Sequence, residues 1–144
     1  MIYFDTAYLL KCYVPERGHD DVLSLWRANA PVACSEFGRM EFAGALHRVC
    51  REGRLTQHEM QLILARWRID QSHGLWHWLP MDEQLAEAVA STFETLPTSI
   101  FLRTGDAIHI LSARENGIQT VYSNDKHLQH AARFLGLAVG DVIP

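Results

Sequence analysis

The chain has 144 residues, 48% of them hydrophobic and 21% charged, with a formal net charge of −4. That length and balance suit one folded domain, 1–144, with a core large enough to need no disulfide framework, and they exclude a disordered chain. An acidic total also argues against a protein that grips nucleic acid by charge over its whole surface, and no apolar run is long enough to span a membrane.

In chain order, short apolar runs alternate with longer helical patterns. Strands are expected at "IYF" (2–4), "PVAC" (31–34), "LWHWLP" (75–80), "QTVYS" (119–123) and "LAVGDVI" (137–143). Helices are expected over about 6–13, 19–29, 35–52, 56–72, 82–95, 105–116 and 125–135. Several boundaries carry their own signals. Ser35 is a plausible N-cap, and Gly53 closes that helix. "TQHE" pairs Thr56 with Glu59 in a capping box, while Gly117 and Gly136 stand where two helices must stop. Strands this apolar, alternating with helices, imply a mostly parallel sheet covered on both faces, an α/β fold.

The three cysteines, Cys12, Cys34 and Cys50, form no C-x-x-C pair and read as small core hydrophobes. The N-terminus lacks the basic start and cleavage site of a signal peptide, so the expected address is the cytoplasm.

Ligands of open parallel sheets bind beyond the carboxyl ends of the strands, at the topological switch point. Acids just after strands are therefore the candidates. Asp5, Asp82 and Asp125 follow strand candidates, Asp106 opens a helix, and Glu41 lies within one, on the same face as Ala45 and Arg48. Each has a plain alternative. Asp82 is sufficiently explained as an N-cap. Asp5 could cap the helix at Thr6, and Asp106 could favour the positive end of its helix, with Thr104 as the cap. Asp125 competes with Ser123 and Asn124 for a cap, and Glu41 could be a solvated neighbour of Arg48. His109 and His127 read as helix-surface or packing residues, and Trp67, Trp76 and Trp78 as core or partner surface.

Taken together, the segments carrying these acids resemble a known family. "MIYFDTAYLLKCYVPE" is similar to the first motif of PIN-domain ribonucleases, a hydrophobic strand ending in Asp and then Thr or Ser. "SEFGRMEFAGALHR" resembles the second and "LRTGDAIHILSA" the Asp-Ala-x-His helix start, with Ile110 in place of Leu. "VYSNDKHLQHAARFLGL" resembles the last, and all four occur in the family's order. Size and completeness resemble the VapC-type toxins of toxin–antitoxin pairs. The resemblance implies a three-layer α/β/α fold with the first and fourth strands adjacent near the centre of an about five-stranded sheet. It implies an acidic cluster of Asp5, Glu41, Asp106 and Asp125, with Thr6 and Ser123 as accessory hydroxyls. It further implies an RNA substrate, tRNA among the candidates, a VapB-like antitoxin as partner, and a homodimer.

The chemistry is consistent with that cluster. Two like charges about 4 Å apart repel by roughly 4 kcal/mol at an effective dielectric near 20, so four acids in one pocket want a cation between them. Mg²⁺ or Mn²⁺ prefers carboxylate and water oxygens and supplies what phosphodiester hydrolysis needs. Asp5 and Asp106 are then the expected core ligands, with Asp125 and Glu41 beside them. Lys11, Arg39, Arg48, Arg103 and Lys126 are the nearby cations that could meet phosphates. A haloacid-dehalogenase-like phosphatase would want a second Asp at position 7, where this chain has Ala7. A catalytically inert RNA- or protein-binding module on the same fold is the rival from another class.

Overall fold

The computed structural model describes residues 1–144. Five short strands, β1 (Tyr3–Phe4), β2 (Val32–Ser35), β3 (Trp76–Leu79), β4 (Thr120–Tyr122) and β5 (Ala138–Gly140), form one sheet in the order β3-β2-β1-β4-β5. Every pairing is parallel, with Tyr3 opposite Ala33 on one side and Val121 on the other. The helices are α1 (Thr6–Lys11), α2 (His19–Asn29), α3 (Glu36–Arg51), α4 (Gln57–Ser72), α5 (Glu83–Thr95), α6 (Thr104–Glu115) and α7 (Lys126–Phe134). The expected elements are all present. β5 is shorter than the apolar run 137–143 because the Asp141 side chain turns to accept hydrogen bonds from the Tyr8 hydroxyl (2.7 Å) and the Ile143 amide (3.0 Å), which ends the ladder.

Alternation along the strands sends neighbouring side chains to opposite faces. Phe4, Val32, Cys34 and Trp76 pack with Tyr8, Val22, Trp26, Phe42 and Trp67 from α1 to α4. Tyr3, Ala33, Leu79 and Val121 pack with Leu85, Val89, Ile110, Leu111, Leu128 and Ala131 from α5 to α7. Each large side chain buried in this way contributes roughly 1.5–3 kcal/mol, and the two cores hold helices on both faces of the sheet. The cysteines are free, with Cys12 and Cys34 buried; burial pushes their thiols far above the ordinary range. Cys12 and Cys34 are core residues, as the sequence implied, while Cys50 on α3 is partly exposed and lies outside both cores.

Helix ends follow their local chemistry. Ser35 caps α3 through the Gly38 amide (3.0 Å), and Thr56 and Glu59 complete the capping box of α4. Gly53, Gly117 and Gly136 adopt positive φ just past three helices, a conformation that glycine reaches without the Cβ penalty. No helix is long and apolar enough to cross a membrane.

The strand order sets the position of the site. From β1 the chain moves outward to β2 and β3, then returns to place β4 on the other side of β1. The carboxyl ends of β1 and β4 therefore bound the switch crevice.

Candidate active site

Four elements deliver acids to that crevice. Asp5 follows β1, Glu41 lies in the second turn of α3, Asp106 in the first turn of α6, and Asp125 precedes α7. With Thr6, Ala7, His109 and Leu128 they line a cleft of about 150 Å³. Asp82 does not line it. It caps α5 through the Leu85 amide (2.9 Å) after the edge strand β3, and has no other evident role.

Asp5 is only 4% exposed. One carboxylate oxygen caps α1 by accepting from the Tyr8 amide (2.9 Å), so Asp5 is a helix cap that also lines the cleft. Burial raises its pKa above the ordinary aspartate value, against the opposing pull of the Ser123 hydroxyl and the Tyr8 and Ala7 amides. A buried carboxylate held at this cost is one that gains from a nearby cation.

Asp125 is itself the cap of α7. Its Oδ1 accepts from the amides of His127 (2.8 Å) and Leu128 (3.1 Å), and the buried Ser123 hydroxyl accepts from the Asp125 amide (3.1 Å). Ser123 thus acts one step behind the acid and does not cap the helix in its place. For α6 the expected cap at Thr104 is absent: the helix begins at Thr104 itself, and Arg103, at the cap position, makes no side-chain cap bond. Instead Arg103 lies between two acids, its Nε donating to Asp106 Oδ2 (3.0 Å) and its Nη2 to Asp125 Oδ2 (2.7 Å).

The residue that sequence reasoning missed is His109. It is 3% exposed and sits one helical turn after Asp106. Its Nδ1 lies 2.7 Å from the Tyr3 hydroxyl, and its Nε2 lies 2.8 Å from Glu41 Oε2 and 3.1 Å from the Thr6 hydroxyl. The Tyr3 oxygen accepts from the Ser35 amide (3.1 Å), and burial keeps that phenol protonated. Its proton must therefore point at Nδ1, which leaves the imidazole proton on Nε2, donated to Glu41. The Thr6 hydroxyl donates to the same Glu41 oxygen. Burial would raise the Glu41 pKa, but the His109 and Thr6 bonds outweigh it and hold Glu41 below the usual glutamate value. No hydrogen bond from the protein reaches Glu41 Oε1.

Gly38 makes this arrangement possible. A Cβ there would collide with the Cys34 sulfur and come within 3.0 Å of His109 Cε1. Gly→Ala inside a helix ordinarily stabilises by about 1 kcal/mol. At Gly38 the opposite sign is expected, a loss of about 1–3 kcal/mol from overpacking, measurable as a lower thermal unfolding midpoint. A midpoint equal to or above that of the parent protein would contradict the packing described.

A second groove, of about 440 Å³, runs from the cleft between α1 and α3. It shares Thr6, Ala7 and Glu41 with the cleft and is otherwise lined by Leu10, Gly44, Arg48 and Arg54, among others. Of the cations singled out in the sequence, Lys11 pairs with Glu16 (2.6 Å) and Arg39 with Glu36 (3.2 Å). Arg48 faces the groove, Arg103 is largely exposed and pairs with Asp106 and Asp125 at the cleft, and Lys126 is exposed at the start of α7.

The donor set suits a hard divalent cation. It is made of carboxylates and hydroxyls, with no thiolate, and the Arg103 guanidinium already serves as a positive counter-charge between Asp106 and Asp125. No three Asp, Glu, His or Cys side chains close to ligating distance in this structure. The fit rests on the chemistry of the donors and on their shared cleft.

The chain is thus a five-stranded parallel α/β/α domain with four carboxylates gathered in a cleft at its switch point. The chain is a member of the PIN domain family, whose model matches residues 2–134. Among solved structures it is similar to the VapC20 sarcin–ricin-loop-cleaving toxin of Mycobacterium tuberculosis (19% identity, 91% of this chain and 95% of that one, TM-score 0.69). It is also similar to FitAcB of Neisseria gonorrhoeae (18% identity, 96% of both chains, TM-score 0.73) and to a toxin–antitoxin complex of Klebsiella pneumoniae (18% identity, 87% of both chains, TM-score 0.59). At these identities the likeness is one of fold. No curated protein sequence matches.

Proposed function

We propose that this protein is a metal-dependent endoribonuclease and the toxin of a toxin–antitoxin pair, working in the cytoplasm with Mg²⁺ or Mn²⁺. The observation that carries the reading is the convergence of Asp5, Glu41, Asp106 and Asp125, from four separate elements, on one cleft at the switch point. Family membership and the toxins among its structural neighbours support it.

Asp5 and Asp106 would hold the cation, with Asp125 and Glu41 completing its surroundings. When bound, such a cation activates water and neutralises charge on the phosphoryl oxygens. The chain's own residues do the rest. Glu41 Oε2 is held by Thr6 and His109, which leaves Oε1 to orient the attacking water and accept its proton. The Ser123 hydroxyl accepts from the Asp125 amide and donates to the Asp5 carboxylate, steadying both acids. Arg103, now bonded to Asp106 and Asp125, is placed to meet a phosphate once a cation takes over those carboxylates. Hydrolysis of this kind leaves a 5′-phosphate and a 3′-hydroxyl. The substrate is single-stranded or loop RNA, tRNA included, whose splayed backbone can enter a cleft. The groove between α1 and α3 is the place for the tail of a VapB-like antitoxin, and the working form is a homodimer.

A Mn²⁺ titration followed by the electron paramagnetic resonance signal of free Mn²⁺ separates this reading from an inert binding module. Binding that is lost in Asp106→Asn is expected; absence of Mn²⁺ binding by the parent protein would favour the inert module. Asp82→Ala serves as the control, with a loss of about 1 kcal/mol in stability for the missing cap and unchanged RNA cleavage. A folded Asp82→Ala protein without activity would move the site to another crevice.

A further inference from the structure

The rim of the acid cleft carries an exposed aromatic pair that the proposed chemistry does not use. Phe101, on the loop between α5 and α6, is 54% exposed. The His127 ring lies against it with centroids 4.5 Å apart and planes inclined by 53°. The Arg103 guanidinium carbon is 5.9 Å from the Phe101 centroid, and the same guanidinium is bonded to Asp106 and Asp125. His127 is two residues past Asp125 and donates its amide to that carboxylate. The aromatic pair is thus tied to the acids on both sides. The other exposed phenylalanines, Phe93 on α5 and Phe134 at the far end of α7, have no guanidinium over their rings.

We propose that Phe101 and His127 form a stacking subsite for an unpaired base of the RNA, next to the phosphate held at the acid cleft. The inference rests on the ribonuclease reading above and deepens it to a single-stranded substrate. Every nucleobase has a π-face, and single-stranded RNA is typically held by stacking on aromatic side chains and on arginine planes beside a cationic backbone track. Both components are present: the two rings, and the Arg103 guanidinium over Phe101, with Lys126 exposed at the start of the same helix as His127. A second copy of this chain seated here would have to cover these cations together with the ring, a poorer match than a ligand carrying both a flat apolar face and a phosphate.

The test is fluorescence anisotropy with a labelled, short single-stranded RNA of mixed sequence with non-hydrolysable linkages, in Mg²⁺, with cleavage of the unmodified RNA followed in parallel. Phe101→Ala and Phe101→Leu are expected to bind about tenfold more weakly, within the range for loss of one stacked base. Phe101→Trp should bind at least as well as the parent, with RNA quenching the added indole emission relative to the parent's own tryptophans. Phe134→Ala should bind like the parent. Parent-like binding by Phe101→Leu would show that bulk and not a π-face matters, and would overturn the subsite. So would a weakened Phe101→Ala whose mass has fallen from dimer to monomer, which would assign this face to a second copy of the chain. A parent protein that cuts and binds RNA while all Phe101 variants match it removes the subsite alone. A parent protein that neither cuts nor binds removes the nuclease reading and the subsite with it.

Discussion

Replacing Asp5 by asparagine is expected to abolish RNA cleavage and, at neutral pH, to raise the unfolding midpoint of the metal-free protein by a few degrees. The two effects share one cause. Asp5 is buried and its pKa is raised by that burial, so the folded state binds its proton more tightly than the unfolded chain does. As pH rises from the unfolded value near 4 through the raised folded value, the folded state alone keeps the proton, and stability falls. The neutral asparagine escapes this loss and retains an oxygen that can accept from the Tyr8 amide, so the α1 cap survives. The gain should shrink below pH 4, where aspartate is protonated in both states. Cleavage loses a ligand of the proposed cation, worth several kcal/mol of transition-state stabilisation, or about a thousandfold in rate. Thermal unfolding across pH in EDTA, paired with a cleavage assay, reads both quantities. A destabilised Asp5→Asn protein with parental activity would remove Asp5 from the site.

His109→Leu is the second change with a large expected effect, a reduction of cleavage by about 10–100-fold, the usual cost of losing a residue that orients a metal-site carboxylate. The substitution deletes the Nε2 proton that holds Glu41, and the Glu41 pKa should rise from its depressed value, since burial is then opposed by Thr6 alone. Activity that needs ionised Glu41 should therefore show its acid limb displaced to higher pH. In the parent protein, the part of folding stability tied to Glu41 is present above pH 4 to 5 and lost as pH falls through the lower folded value; in His109→Leu that contribution shrinks. The Tyr3 phenol also loses its acceptor, so the thermal midpoint should fall. Tyr3→Phe is the milder companion: it frees the imidazole tautomer without removing the ring. An unmoved acid limb in His109→Leu, despite a lower midpoint, would make His109 a packing residue only.

His109 marks the limit of what the sequence made legible. Strand and helix positions follow from apolar alternation and from local signals such as the Thr56 capping box and Gly117, which act within a few residues and are realised as expected. Asp5, Asp106 and Asp125 are legible because each follows a strand or opens a helix, and a parallel sheet brings strand ends together; Glu41, inside α3, is legible only through the resemblance of "SEFGRMEFAGALHR" to a family motif. The histidine of "LRTGDAIHILSA" falls in the Asp-Ala-x-His helix start, but the motif does not say what its ring bonds. The same pattern serves a surface residue and a buried one, and its partners Tyr3 and Glu41 are 106 and 68 residues away. The available signal was spacing: His109 lies three residues after Asp106, on the same face of α6. Tyr3 was harder still, because in "IYF" its hydroxyl is hidden within an apolar run. At Asp125 the ambiguity was chemical. Ser, Asn and Asp all cap well, and in the structure it is the acid that accepts from the first amides of α7.

The measurement that bears most directly on the central claim is cleavage of a mixed RNA pool, tRNA included, by the purified protein with Mg²⁺, Mn²⁺ or EDTA, beside Asp106→Asn. Cutting that needs the metal, leaves 5′-phosphate ends and disappears in the variant is the predicted result. Cutting that persists in EDTA, or at the parental rate in a folded Asp106→Asn protein, would contradict a carboxylate-held cation as the centre of this cleft.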